Sequence, residues 1–249
     1  FNSILGIDGS FNAWMGWGLT SLGDFNGDGI DDFAASTPFV ENGSVHVFFG
    51  SDSPTFDQPD LTMEPDVEDD SFGDVITGGG DFNGDGFKDL FVKTIGTTPN
   101  GYQQIYFYAG GTDADNTLDG TLVAKPSDFG RSNGGEFVNG GFHNMTYIPD
   151  VNGDGQDELV ISTFYRAFGQ LTNAVVYEGR TDIGEKMLPQ TVLKAPNQDA
   201  GFGWSSWADA IAVGDFDGNG TTDIVMSQTA DDNDAYQSSR QYRYALQSP

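Results

Sequence analysis

One phrase recurs four times along the chain and constrains its fold more than any other feature. It reads "GDFNGDGIDDFAAS" from Gly23, "GDFNGDGFKDLFVK" from Gly80, "PDVNGDGQDELVIS" from Pro149 and "GDFDGNGTTDIVMS" from Gly214. The leading acids are Asp24, Asp81, Asp150 and Asp215, separated by 57, 69 and 65 residues. A repeat of that period is too long for one hairpin. It suits a four-stranded unit that buries its faces against neighbouring copies.

The rest of each repeat has the same order. A Gly-spaced apolar stretch precedes the phrase, as in "SFGDVITGGG" and "ADAIAVG". A short apolar run follows it at Phe33–Ala35, Leu90–Val92, Leu159–Ile161 and Ile224–Met226. A third run is rich in β-branched and aromatic residues: "SVHVFFG", "QQIYFYAG", "NAVVYEG" and "QYRYALQ". A fourth strand is expected at "DLTM", "GTLVAK" and "QTVLKA". These are strand compositions, and no segment sustains a 3.6-residue period, so almost no helix is expected.

The last repeat lacks its fourth strand, while "NSILGID" at the start of the chain resembles one. Counting from Asp215 through residue 249 and on to Asp24 gives 58, within the range of the other spacings. The expected fold is therefore all-β: a single domain over residues 1–249, a β-propeller of four four-stranded blades closed by the N-terminal strand. Closure protects the sheet edges. The alternative is four blades cut from a larger ring.

Counting the leading acid as position 1, side-chain oxygens fall at positions 1, 3, 5 and 9. They belong to Asp24, Asn26, Asp28 and Asp32; to Asp81, Asn83, Asp85 and Asp89; to Asp150, Asn152, Asp154 and Glu158; and to Asp215, Asp217, Asn219 and Asp223. Positions 4 and 6 are Gly in every copy. Alternating oxygens around a Gly-permitted turn fit a hard cation with 6–8 oxygen ligands. The position 7 carbonyls of Ile30, Phe87, Gln156 and Thr221 are expected to add to each set. Three acids per loop repel one another unless a divalent cation sits among them. Mg2+ demands a stricter octahedron and softer metals want His or Cys, so up to four Ca2+ ions are expected. An EF-hand would need Glu at position 12, where this chain has Ala35, Val92, Ile161 and Met226. The alternative is four metal-free Asx turns.

With these loops in view, the chain resembles the FG-GAP (VCBS-type) repeats of integrin α-subunit β-propellers and of secreted bacterial proteins. "FGDVITGGGDFNGDGFKDLFV" from Phe72 is similar to the family pattern of Phe-Gly, apolar strand, Ca2+ loop and apolar strand. Three features depart from it. "ASTP" (Ala35–Pro38) stands where Gly-Ala-Pro is usual, position 9 of the third loop is Glu158, and family propellers usually have seven blades. The resemblance implies metal loops on one face and ligand recognition often on the other.

On the ligand face the resemblance places Trp14, Trp17, Trp204 and Trp207, in the approaches to the first strands of the first and last units. Flat aromatic faces there suit a protein or carbohydrate ligand, although core or channel packing of large hydrophobes is the simpler reading. Arg166, in "FYRAFG", is one of few cations and is a candidate for an acidic ligand group.

The charge balance narrows the partners. With 38 acids against 10 Lys and Arg, a formal charge of −28, the chain should bind neither nucleic acid nor anionic membrane. No apolar run approaches a membrane span, and no membrane insertion is expected. Without cysteines there are no disulfides or thiolate sites. The chain opens abruptly at Phe1, as a mature or trimmed segment would. An extracellular, secreted or cell-surface location fits a metal-stabilised fold.

No catalytic constellation stands out. His46 lies in a strand-like run and His143 lies near Tyr147, an acid/base pair only if the fold were to join them. A non-enzymatic recognition or adhesion module is therefore expected. A polysaccharide lyase or hydrolase and a structural subunit of a surface assembly are the alternatives. The sequons at Asn42, Asn144 and Asn219 bear on the chain only in a eukaryotic secretory pathway.

Overall fold

The computed structural model describes residues 15–53, 56–65, 71–97, 103–124, 140–165, 173–183, 191–194, 204–231 and 239–245. Among these every regular element is a strand. Strands β1 (Leu19–Gly23), β2 (Asp32–Ser36), β3 (Val45–Phe48) and β4 (Leu61–Met63) form one antiparallel meander. The second comprises β5 (Val75–Gly80), β6 (Asp89–Thr97), β7 (Gln103–Tyr108) and β8 (Gly120–Ala124). The third comprises β9 (Gly140–Ile148), β10 (Glu158–Tyr165), β11 (Asn173–Tyr177) and β12 (Thr191–Lys194). The fourth has three strands among the described residues: β13 (Trp204–Gly214), β14 (Asp223–Asp231) and β15 (Ser239–Ala245). The strand expected at Asn2–Asp8 lies outside the described residues.

In all four sheets the repeated phrase spans the turn between the first and second strands. Position 9 is the first residue of the second strand: Asp32, Asp89, Glu158 and Asp223. The acids and glycines make the turn, and the apolar tail of the phrase makes the strand. That strand is buried on both faces, which is why it reads as a continuous apolar run rather than an alternation. Leu90, Phe91 and Val92 are fully buried, as are Leu159, Val160 and Ile161.

The chain divides into two compact units. In the first, the sheets β1–β4 and β5–β8 lie side by side, with β1 next to β5. Leu22, Ala34, Val45, Val47, Met63, Phe72, Leu90, Val92 and Tyr108 fill the core between them. Phe91, on the opposite side of β6 from Leu90 and Val92, packs against Phe82 and Phe107. Backbone polar groups stitch the sheets together. The Gly78 amide donates to Thr20 Oγ1 (3.1 Å), and the Gly111 amide donates to the Phe25 carbonyl (2.8 Å). A side chain at Gly78 would run into Leu22, so this approach requires glycine. In the second unit β13 lies beside β9 and β10, over a core of Ile148, Val160, Ala174, Val176, Ile224 and Met226.

A serine at position 13 of the phrase closes a second backbone site. Ser36 Oγ accepts the Gly18 amide (2.9 Å), Ser162 Oγ accepts the Asn144 amide (3.0 Å) and Ser227 Oγ accepts the Ala210 amide (3.0 Å). At the last two, the pairing with the first strand is irregular, and the hydroxyl satisfies an amide that the ladder leaves out. The second sheet has Lys93 there instead. Its side chain is 5% exposed and pairs with Asp74 of the loop entering β5.

Two outcomes follow for stability. Ser162→Ala should cost about 1 kcal/mol through the unsatisfied amide, read as a lower urea midpoint at unchanged slope. Lys93→Met should cost about 3 kcal/mol because it leaves Asp74 uncompensated, and adding Asp74→Leu should recover most of that loss.

Candidate metal centres

The four turns share one construction. The position 1 carboxylate collects amides from the glycine-rich apex. In the second loop Asp81 Oδ1 accepts from Gly84 (2.7 Å) and Asp85 (3.1 Å), while Oδ2 accepts from Gly86 (2.9 Å). Asp150 and Asp215 make the same three bonds in their loops. Asp24 keeps the bond to Gly29 (3.0 Å). Position 3 oxygens accept the position 5 amide, and position 5 oxygens accept the position 7 amide, with distances of 2.7–3.1 Å across the loops. Successive Asx turns therefore aim the side chains at positions 1, 3 and 5 toward one interior. The glycines at positions 4 and 6 have positive φ in every loop, for example +75° at Gly84 and +93° at Gly86.

Position 9 closes the loop from beneath. Asp32 Oδ2 accepts the Phe25 (2.9 Å) and Asn26 (3.1 Å) amides, and its Oδ1 accepts the Gly50 amide beyond β3 (2.8 Å). Asp89 repeats this with Phe82, Asn83 and Gly110. Glu158 accepts from Val151 and Asp223 accepts from Phe216. All four acids are buried, at 0–2% exposure. Burial raises Asp32 above the ordinary carboxylate range and pushes Asp89 and Glu158 up to about 7, against the lowering effect of their amide donors. In the third loop the two ends are driven apart: the Gly155 amide, with further apex donors, holds Asp150 down.

Oxygens remain that these bonds do not use. Asp24 Oδ1, Gln156 Oε1 and Glu158 Oε1 are buried without a hydrogen-bond partner. Burying a polar oxygen without a partner is costly, and a carboxylate oxygen more so. A divalent cation satisfies such atoms. Asp150, Asp154 and Glu158 bring ligand oxygens within 4.8 Å of one another, as do Asp215, Asp217 and Asp223. The donor set is all oxygen, and the third and fourth loops match a hard cation in spacing as well as in chemistry.

The other sequence candidates fare unevenly. Trp17 is described and 53% exposed, edge-on to the exposed Phe39 with ring centroids 4.8 Å apart, so it is no core residue. Trp204 and Trp207 lie on β13, but their side chains are outside those described, and Trp14 and Arg166 lie outside the described residues. His143 is on β9 with its side chain likewise undescribed. His46 sits on β3 in contact with hydroxyls. Two positioning acids were missed from sequence. Asp60 and Asp119, just before β4 and at the β7–β8 turn, accept the Phe49 and Ala109 amides beyond the third strands. The shared Asp before "LTM" and "GTLVA" was the available signal.

Residues 15–48 match the FG-GAP repeat family. The match supports a likeness to FG-GAP, integrin-like repeats, which similarity to integrin alpha subunits extends. The chain is 31% identical over 111 residues to integrin alpha-PS5 of Drosophila melanogaster, covering 42% of the chain and 11% of that protein. It is 35% identical over 102 residues to integrin alpha-PS3 of the same organism, covering 39% of the chain and 9% of that protein. Against integrin alpha-7 of Mus musculus it is 36% identical over 97 residues, covering 39% of the chain and 8% of that protein. The chain thus spans about a tenth of the length of these relatives. No helix among its described residues is long and apolar enough to cross a membrane.

The open space around the position 6 glycines isolates backbone conformation as a variable. A Cβ at Gly86 would meet nothing within 4 Å. Gly86→Ala should therefore cost about 1 kcal/mol through its positive φ alone, and Gly86→Asn less, because Asn tolerates the left-handed region. Urea unfolding of both variants in chelator checks the order.

Proposed function

We propose that this chain is a Ca2+-stabilised β-propeller acting outside the cell as a recognition or adhesion module for protein ligands. The observation that carries it is the fourfold loop with buried, unpartnered oxygens at Asp24 and Glu158. Those atoms have a use if a cation occupies each turn. The proposed ligand sets are positions 1, 3, 5, 7 and 9: Asp24, Asn26, Asp28, Ile30 and Asp32 in the first loop, with the equivalent residues in the other three. The position 7 contribution would be its backbone carbonyl. Glu158 reaches further than Asp, so the third site is expected to differ in affinity from the rest.

The cation's role would be structural. Each loop joins the first two strands of a sheet, and binding only to the native state stabilises by RT ln(1 + [L]/Kd) per site. In a chain without cysteines, that linkage replaces disulfides. Millimolar extracellular Ca2+ saturates modules of this affinity class. Integrin α relatives are cell-surface proteins that bind protein ligands, which supports the same setting and partner class here. Ring closure by residues 2–8 against β15 completes the proposed architecture.

Calorimetry with Ca2+ and with EDTA tests the metal. A site at one hundred times its Kd adds about 2.7 kcal/mol, so several degrees separate the two melting temperatures. Titration of chelated protein should give up to four equivalents, and Asp150→Ala should remove one. Identical melting curves would overturn the metal assignment. Deleting residues 1–8 should lower the melting temperature; an unchanged value would remove the closing strand.

A further inference from the structure

The first two turns touch. Phe87, at position 7 of the second loop, lays its ring over Gly27, at position 4 of the first, so that a Cβ at Gly27 would collide with the ring. The Thr112 methyl, beyond β7, borders the same glycine, and the stem of Lys88 lies against Gly23. Ile30, the position 7 residue of the first loop, instead folds onto Gly50 of its own sheet. Both sheets belong to one compact unit.

A line of hydrogen bonds also joins the two position 9 acids. Asp32 Oδ2 accepts the Phe25 amide (2.9 Å), and the Phe25 carbonyl accepts the Gly111 amide (2.8 Å). The neighbouring Gly110 amide donates to Asp89 Oδ1 (3.2 Å), whose Oδ2 accepts the Phe82 amide (2.7 Å). Gly110 is wedged between the Lys88 and Phe25 carbonyls, one from each sheet, with no room for a Cβ. Phe25, Asp32, Asp89 and Gly111 are all buried, where such bonds are stronger than in water. Residues 110–112 are thus shared. Their own sheet holds them through Asp89, and the first loop meets them at Phe25 and Gly27.

We infer that the first and second turns are one cooperative binding unit, in which a divalent cation in either loop raises the affinity of the other. The inference rests on the cation reading above. Residues 110–112 are the element that both loops bias. A cation that fixes Asp89 fixes Gly110 with it. The Gly111 amide then holds the Phe25 carbonyl, and the Phe87 ring confines Gly27. The first loop has lost that freedom before its own cation arrives, so its ordering costs less entropy. The effect runs equally the other way, because coupling between two binding sites is reciprocal. The first loop has the most to gain. In the other three the leading acid holds three apex amides, whereas Asp24 keeps one of them and its Oδ1 is buried without a partner.

The test follows the apex amides of Gly29, Gly86 and Gly155 by NMR while Ca2+ is titrated into the chelated chain. Asp28→Ala and Asp85→Ala, both at exposed positions, remove a ligand from the first and the second loop. Asp28→Ala is expected to weaken the binding read at Gly86 about fivefold or more, and Asp85→Ala to weaken that read at Gly29 by the same factor. Gly155, in the other compact unit, should report an unchanged affinity in both. Phe87→Ala removes the packing without removing a ligand, since position 7 offers its carbonyl. Both loops should still bind, with the factor reduced toward one, and Phe87→Leu should restore part of it. In EDTA, Phe87→Ala should also speed hydrogen exchange of the Gly29 amide several-fold while Gly155 stays unchanged, a readout that needs no metal. Equal affinity at Gly86 in the parent and Asp28→Ala would overturn the coupling and leave the metal reading standing. So would unchanged Gly29 exchange in Phe87→Ala. Equal weakening at all three glycines would overturn it too, as a loss of fold and not a link between two loops. A titration that shifts neither Gly29 nor Gly86 would overturn both readings.

Discussion

The buried carboxylate at position 9 is the interaction on which the rest of the structure depends. Asp32, Asp89, Glu158 and Asp223 each begin a second strand and reach back to hold amides at the start of the loop. In the first two sheets the same group also holds the glycine amide beyond the third strand. One side chain thereby fixes the turn, the register of the first two strands and the exit of the third. An acid in that place is expensive, and burial raises the pKa of Asp32, Asp89 and Glu158. Several charge-assisted amide bonds offset part of that cost. A cation above it would offset more.

The position 13 serine does at the far end of the second strand what position 9 does at the near end. Each satisfies a backbone amide that the β-ladder leaves unpaired, so the repeat carries its own two clasps. The second sheet gives up the serine for Lys93 and has to pair it with the half-buried Asp74. An exchange of a neutral clasp for a charged one marks the place where the four units are least interchangeable.

Much of the fold was legible because repetition multiplied a weak local signal. A single Asp-rich turn is ambiguous, whereas four copies with oxygens in register define loop, strand order and sheet boundaries together. All four second strands begin at the acid that the spacing singled out, and the third strands fall on the aromatic runs. The clasp at Ser36, Ser162 and Ser227 was visible in the phrase as a recurrent serine, but its role was not. Its partners, Gly18, Asn144 and Ala210, share no residue type, because the bond is to backbone. A polar cavity at the end of the first sheet, lined by Thr37, Ser44 and His46, had no sequence signal at all. It forms where two strand ends and a loop meet, and the β4 exit contributes Glu64 from about twenty residues away.

The sequence by itself determined the four turns, their oxygen-only chemistry and the all-β class. These depend on residue type at short spacing, which the chain carries locally. Only the tertiary structure decided which oxygens are buried without partners, and that Trp17 meets Phe39 edge-on at the surface. Those properties depend on what lies opposite each side chain. That is settled when sheets pack, as Gly78 against Leu22 and Gly43 against Phe72 do.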